Sequence, residues 1–184
     1  MTKISTTDER LVAQWANVVF TCSLLLVLVC TLFPFDFSWE KVADKFDNPS
    51  NLSDIIANVL LFIPFGFGLS CLMQKSKPKG IVALIVVLAA SSGLSLTVEV
   101  LQVFLPSRTP TPTDIVTNTI GGFLGFVCFR LWRIKILSYG SALVRKTKGR
   151  FAVRNLVVGF IGYATLVFLI SIPLPNATHL RNCL

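Results

Sequence analysis

Seven polar residues stand out in an otherwise apolar chain: Asp54, Asn58, Glu99, Gln102, Arg108, Asp114 and Asn118. Their types and spacing suit chemistry or ligand binding. Asp54 and Asn58 are four residues apart, as are Asp114 and Asn118, so each pair stacks on one helix face. Glu99 and Gln102 join Ser92 and Ser95 at offsets of 0, 3, 7 and 10, a single polar stripe down an apolar helix. A charged residue at the centre of a bilayer costs about 2.5–3.5 kcal/mol on insertion scales, so such groups face protein or water and mark function. Two chemistries follow. Arg108 together with two helix N-termini would engage an anionic group. Alternatively, Glu99 with Asp54 or Asp114 would act as general acid and base. Three carboxylates against one guanidinium leave a negative excess that a proton or a bound cation would relieve.

Each of these residues also has a purely structural reading. Asp54 and Asp114 suit helix caps, where carboxylates accept orphan backbone N–H groups, and Ser53 and Thr113 are equally placed to cap. Asn58 and Asn118, a turn deeper, suit bridges between helices. Glu99 suits a buried interhelical hydrogen bond. Arg108, in a connector stiffened by Pro106, Pro110 and Pro112, suits a pair with Glu99 or Asp114, or a lipid phosphate. Gly121 and Gly125 form a small-xxx-small pattern beside Asn118, which predicts close approach of another helix.

No histidine, serine-nucleophile motif or metal-ligand spacing accompanies the carboxylates; the single His179 lies in the tail. Cys22, Cys30, Cys71 and Cys128 lie in or beside apolar runs, Cys183 lies near the C-terminus, and free cysteine packs as a small hydrophobe. The sequence therefore predicts no metal and no cofactor.

The elements that must position these groups are membrane spans. The chain has 184 residues, 53% hydrophobic and 14% charged, with a mean hydropathy of +0.73. Soluble domains carry roughly 25% charged residues. Apolar runs long enough to cross a bilayer begin near Val12, Asp54, Ile81, Asp114 and Leu156 and end near Phe33, Leu72, Leu105, Leu131 and Ile172. The first is too long for a signal peptide and lacks a small-residue cleavage site. The fold class expected is all-α, a polytopic membrane helix bundle of about five transmembrane helices. Pro64 predicts a kink in the second. Residues 12–131 read as a four-helix core, 132–154 as a basic linker or interfacial helix, and 155–173 as the fifth span.

The first and second hairpins resemble each other. Each has a span ending in proline (Phe33-Pro34, Leu105-Pro106), a loop, and D-I-x-x-N opening the next span (Asp54 to Asn58, Asp114 to Asn118). With two spans per unit, this predicts a parallel repeat about an axis along the membrane normal.

The net charge of +8 does not suggest nucleic acid, because the basic residues sit between apolar spans rather than on one soluble face. With a cytoplasmic N-terminus, 13 of the 17 basic residues fall on the inner side, leaving Lys41, Lys45, Arg108 and Arg181 outside. Trp15, Trp39 and Trp132 fall near the predicted interfaces, as an aromatic belt requires. The polar cluster and the C-terminus then lie on the outer side. Asn176-Ala177-Thr178 matches a glycosylation acceptor, a pattern that short sequences meet by chance.

In order, D-x-x-x-N-x-x-x-F-x-P-F-G (Asp54, Asn58, Phe62, Pro64, Phe65, Gly66), E-x-x-Q (Glu99, Gln102), P-x-R (Pro106, Arg108) and D-x-x-x-N-x-x-G (Asp114, Asn118, Gly121) resemble the VanZ-like family of bacterial membrane proteins. The resemblance covers about residues 12–131. It implies a bacterial inner-membrane protein and, through the family's namesake, a link to low-level resistance to the glycopeptide teicoplanin. It supplies no catalytic residues. The functions expected are a cell-envelope accessory binding a lipid-linked or peptidoglycan-related ligand, a membrane enzyme using paired carboxylates, or a transporter or structural subunit. The partners expected are membrane lipids, such an envelope intermediate, and a second copy of the chain.

Overall fold

A computed structural model of the chain describes residues 6–38, 51–74, 78–106, 108, 110–146 and 150–171. The connector with Trp39, Lys41 and Lys45, the residues Lys75 and Lys77, the tail with Asn176 to Thr178, His179, Arg181 and Cys183, and the basic side chains from Arg133 to Arg150 lie outside the described structure. All regular structure among the described residues is helical: α1 (Thr6–Leu32), α2 (Leu52–Met73), α3 (Gly80–Val103), α4 (Pro112–Lys146) and α5 (Arg150–Ser171). Four stretches are long and apolar enough to cross a membrane: Trp15–Leu32, Leu52–Met73, Gly80–Val103 and Pro112–Trp132. In α5 the apolar stretch among described residues is shorter, Val158–Val167. The helices turn large apolar side chains outward, including Leu25, Ile85, Leu96, Val100 and Val116, each more than half exposed. Such a surface suits acyl chains and is too apolar for water.

Helix α2 is the hub and touches every other helix. Helix α1 packs chiefly on α2, and α3 packs chiefly on α4. That is the arrangement a parallel two-helix repeat requires. The centre is a backbone-to-backbone contact between α2 and α4. A Cβ built on Gly66 would fall 2.1 Å from the carbonyl oxygen of Gly122, and one on Gly121 would fall 2.3 Å from that of Val59. One on Gly125 would fall 2.1 Å from the carbonyl oxygen of Ile63. From Val59 against Gly121 to Ile63 against Gly125 the contact advances four residues on each helix, so α2 and α4 run parallel. The close approach expected of Gly121 and Gly125 is present, with Gly66 and Gly122 added to it. Beside this seam lies the main apolar core, with Val27, Leu61, Phe62, Phe65, Val98 and Leu105 buried. Phe65 sits 5.5 Å, centroid to centroid, from Phe20 of α1.

Pro64 leaves α2 a continuous helix. Its ring nitrogen cannot donate to the Leu60 carbonyl one turn earlier. The Tyr163 hydroxyl of α5 donates to that carbonyl instead. Helix α5 is thus attached at the point where the α2 ladder lacks a donor. The stretch read as a basic linker or interfacial helix is helical as far as Lys146, continuous with α4 from Pro112 through Trp132.

Candidate functional site

The polar cluster assembles where the N-termini of α2 and α4 meet the C-terminal half of α3. At α2, Asn51 is the N-cap and Asp54 lies at the third helical position. The Asn51 N–H donates to Asp54 Oδ2 at 3.3 Å, one arm of a capping box. The cap is therefore Asn51, not Ser53. Helix α4 opens the same way. Thr111 precedes Pro112, a residue favoured at the first helical position because its missing N–H would have no partner there. Asp114 stands three residues after Thr111, and its carboxyl meets the Thr111 side chain. The cap is Thr111, not Thr113.

The two ends differ in one respect. The Thr111 N–H, which Asp114 would accept in a complete capping box, donates to Glu99 Oε2 of α3 at 2.8 Å. Glu99 is 7% exposed and fastens the second connector to α3. Asp114 is thereby released from part of its capping duty. Its carboxyl reaches the Glu99 carboxyl and the Asn58 side chain, and Asp54 lies near enough for charge repulsion. One of its oxygens, Oδ1, is buried without a hydrogen-bond partner.

Asn118, one turn deeper on the same face, is 2% exposed. Its Nδ2 donates to Ser95 Oγ at 2.8 Å, and its Oδ1 is a second buried acceptor with no partner. The asparagine bridge expected between helices is present, to α3. A buried acceptor without a donor costs about 1–3 kcal/mol, so two in one place form a site primed for a hydrogen-bond donor. The buried stripe of α3 is Ser91, Ser95, Glu99 and Gln102. Ser92, expected in that stripe, is only half-buried and turns back to the Ala89 carbonyl. Ser91 was not legible as a member. Its offset of four from Ser95 matches the helical repeat as well as an offset of three, and only the Gly122 backbone it packs against selects it.

Arg108 and Gln102 are used differently from the expectation. Gln102 Nε2 donates to the Thr31 carbonyl at 3.0 Å. Arg108 donates to the carbonyls of Cys30 at 3.0 Å and Phe33 at 3.2 Å. A helix end leaves its last four carbonyls without intrahelical partners. In α1 the Val29 and Leu32 carbonyls receive the N–H groups of Phe33 and Phe35, and Gln102 and Arg108 take the two between. The guanidinium also sits at the negative end of the α1 dipole, where a cation is favoured. Arg108 thus seals α1, and among the described contacts no ion pair joins it to Glu99 or Asp114. The Phe33–Pro34 peptide is cis and Phe35 has φ of 65°. The Ser38 N–H donates to the Phe104 carbonyl at 2.7 Å, which ties the start of the first connector to the C-terminal end of α3.

Of the seven residues singled out, Asp54, Asn58, Glu99, Asp114 and Asn118 share one cluster. Gln102 and Arg108 form a clamp beside it. Beside Glu99, an apolar cavity of about 280 Å³ is lined by Val100, Val103, Pro110, Pro112 and Ile115. Among the described residues, no group of three or more His, Cys, Asp or Glu side chains is placed to hold a metal.

Comparison with known proteins agrees with this layout. The sequence profile of the VanZ/LLP1 family matches residues 17–133, which span α1 to the membrane part of α4 and contain the whole cluster. Protein VanZ of Enterococcus faecium is 31% identical over 138 residues, covering 74% of this chain and 70% of that protein. No solved structure matches. With a family match over more than half its length and a relative sharing most of both chains, this membrane helix bundle belongs to the VanZ/LLP1 family.

Proposed function

We propose that the protein is an accessory of the bacterial cell envelope that holds a lipid-linked or peptidoglycan-related ligand in the polar cluster. The observation that carries this reading is the pair of buried, partnerless acceptors, Asp114 Oδ1 and Asn118 Oδ1, next to the carboxyls of Asp54 and Glu99. Groups of this kind accept; they do not bind phosphate. With Arg108 occupied at α1, the ligand group that fits is a donor: a sugar hydroxyl, an amide N–H or an ammonium. Sugar and peptide portions of wall precursors are rich in such donors, and the apolar cavity beside Glu99 suits the lipid portion. The inner-membrane location, the outward orientation of the cluster and a link to glycopeptide resistance belong to the same proposal. It draws them from the positive-inside charge distribution and from the name of the relative.

The test is thermal unfolding of the purified protein with a lipid-linked disaccharide-peptide precursor and with teicoplanin. A ligand at about 100 times its Kd stabilises by about 2.7 kcal/mol. A rise in Tm that is lost in Asn118→Leu and Asp114→Leu, while Arg108→Gln keeps it, supports the reading. No rise with either ligand, or an equal rise in both Leu variants, refutes it. In cells, an impermeant thiol reagent labels Thr111→Cys but not Ser76→Cys if the cluster faces outward.

A second reading draws on the contact between the Glu99 and Asp114 carboxyls: an enzyme using the pair as acid and base on an envelope lipid. Turnover of the bound lipid that stops in Glu99→Gln, with binding retained, distinguishes it.

A further inference from the structure

At the end of the bundle opposite the polar cluster lies a cavity of about 330 Å³. It opens where α2 finishes (Met73, Gln74), α3 starts (Pro78, Ala83) and the membrane part of α4 ends (Phe129, Arg130). Three span termini at one level place it at headgroup depth. Trp132, exposed two residues beyond Arg130, is the kind of side chain that settles there. The volume lies in the range of small-ligand sites.

The cavity is amphipathic. Ala83, Phe126 and Phe129 are buried and make its floor. Ser70 is turned away, its hydroxyl donating to the Gly66 carbonyl at 2.6 Å. The charged group among the described lining residues is Arg130. Its guanidinium carbon lies 6.0 Å from the centroid of the Phe126 ring, and one of its nitrogens lies 3.0 Å from where a Cβ on Gly80 would stand. The absence of a side chain at position 80 gives it that place. Among the described residues no carboxylate or carbonyl accepts a hydrogen bond from it.

The neighbouring charge has the same sign. Helix α3 begins at Gly80 without a side-chain cap and with no acidic residue in its first turn, and its N-cap is Lys79. By contrast, α2 and α4 carry Asp54 and Asp114 in their first turns. A floor of aromatic and aliphatic side chains beneath a cationic rim at headgroup depth matches a molecule with an anionic head and an apolar tail.

We propose that this cavity binds the phosphate head of an anionic phospholipid, with Arg130 as its principal ligand and Phe126, Phe129 and Ala83 receiving the start of the acyl chains. The site is independent of the polar cluster and stands whether or not the cluster binds an envelope precursor.

The test is thermal unfolding of the full chain in nanodiscs of phosphatidylcholine with increasing phosphatidylglycerol, and of the detergent-solubilised protein with inorganic phosphate. Wild type rises in Tm with phosphatidylglycerol, and native mass spectrometry retains the anionic lipid in preference to phosphatidylcholine. Arg130→Gln weakens retention about fivefold, the factor expected for one basic contact to an anionic surface. Gly80→Ala, whose methyl displaces the flexible guanidinium without touching the bundle seam, weakens it as well. Arg154→Gln, an exposed charge on α5 outside the cavity lining, leaves it unchanged. Equal stabilisation by both lipids, or equal losses in Arg130→Gln and Arg154→Gln, overturns the proposal. A response to inorganic phosphate that phosphatidylglycerol does not reproduce assigns the site to soluble phosphate and overturns the lipid assignment.

Discussion

Replacing Tyr163 by Phe removes one hydroxyl from α5, and its cost depends on a residue in another helix. The hydroxyl donates to the Leu60 carbonyl, which Pro64 leaves without its helical N–H. Loss of a donor to a buried carbonyl costs about 1–3 kcal/mol in general. Interhelical hydrogen bonds in membrane bundles average about 0.6 and reach about 1.7 kcal/mol. Tyr163→Phe is therefore expected to destabilise by about 1 kcal/mol. Pro64→Ala restores an N–H at position 64 that reaches Leu60 within α2. In that background the same Tyr163→Phe change strands no carbonyl, and its cost falls to about 0.3 kcal/mol or less, the scale of an exposed substitution. The coupling between the two sites is then roughly 0.7 kcal/mol, above the ~0.3–0.5 kcal/mol scatter of independent sites. Equilibrium unfolding of the four proteins in mixed micelles measures it. Additive costs would refute the argument that α5 is attached through the gap left by Pro64, and reduce Tyr163 to an ordinary packing residue.

The remaining predictions concern the seam and the clamp. Gly66→Ala and Gly122→Ala drive a methyl into backbone and hydroxyl atoms at 2.1 and 2.0 Å, so each destabilises by at least about 1–3 kcal/mol. Gly93→Ala, with nothing within 4 Å, is neutral or stabilises by about 0.5–1 kcal/mol in the same unfolding assay. Arg108→Ala leaves the Cys30 and Phe33 carbonyls without their donor and destabilises by about 1–3 kcal/mol. The charge swap Glu99→Arg with Arg108→Glu does not rescue either single change, because the two side chains bond different partners.

The spans were legible because hydropathy over about twenty residues depends on composition, not on neighbours. The cluster was legible for a similar reason. A glutamate such as Glu99, about a turn inside the end of an apolar helix, has to meet protein or water, and the D-I-x-x-N openings put Asp114 and Asn118 on one face. The fate of Arg108 was not legible, since α1 and its unsatisfied carbonyls are some 75 to 78 residues away in sequence. The contest between Glu99 and Asp114 for the Thr111 N–H was hidden likewise. The start of α4 at Pro112 gives Thr111 and Asp114 capping-box spacing, and only tertiary packing brings a competitor. Ser91 and Gly122 show the same limit, because adjacent helix positions differ by about 100° and the chain alone does not choose between them.

Helix α4 runs 35 residues without interruption, about 52 Å at 1.5 Å per residue, while a bilayer core is about 30 Å thick. Its first turn carries Asp114 and its far end carries Lys146. Between them Gly121 and Gly125 rest directly on the α2 backbone, the natural fulcrum. The arm from Gly125 to Lys146 is about 32 Å, so a tilt of about 5° at that contact would sweep the basic end by about 3 Å. A stiff rod pivoting on glycine makes the helix a mechanical lever.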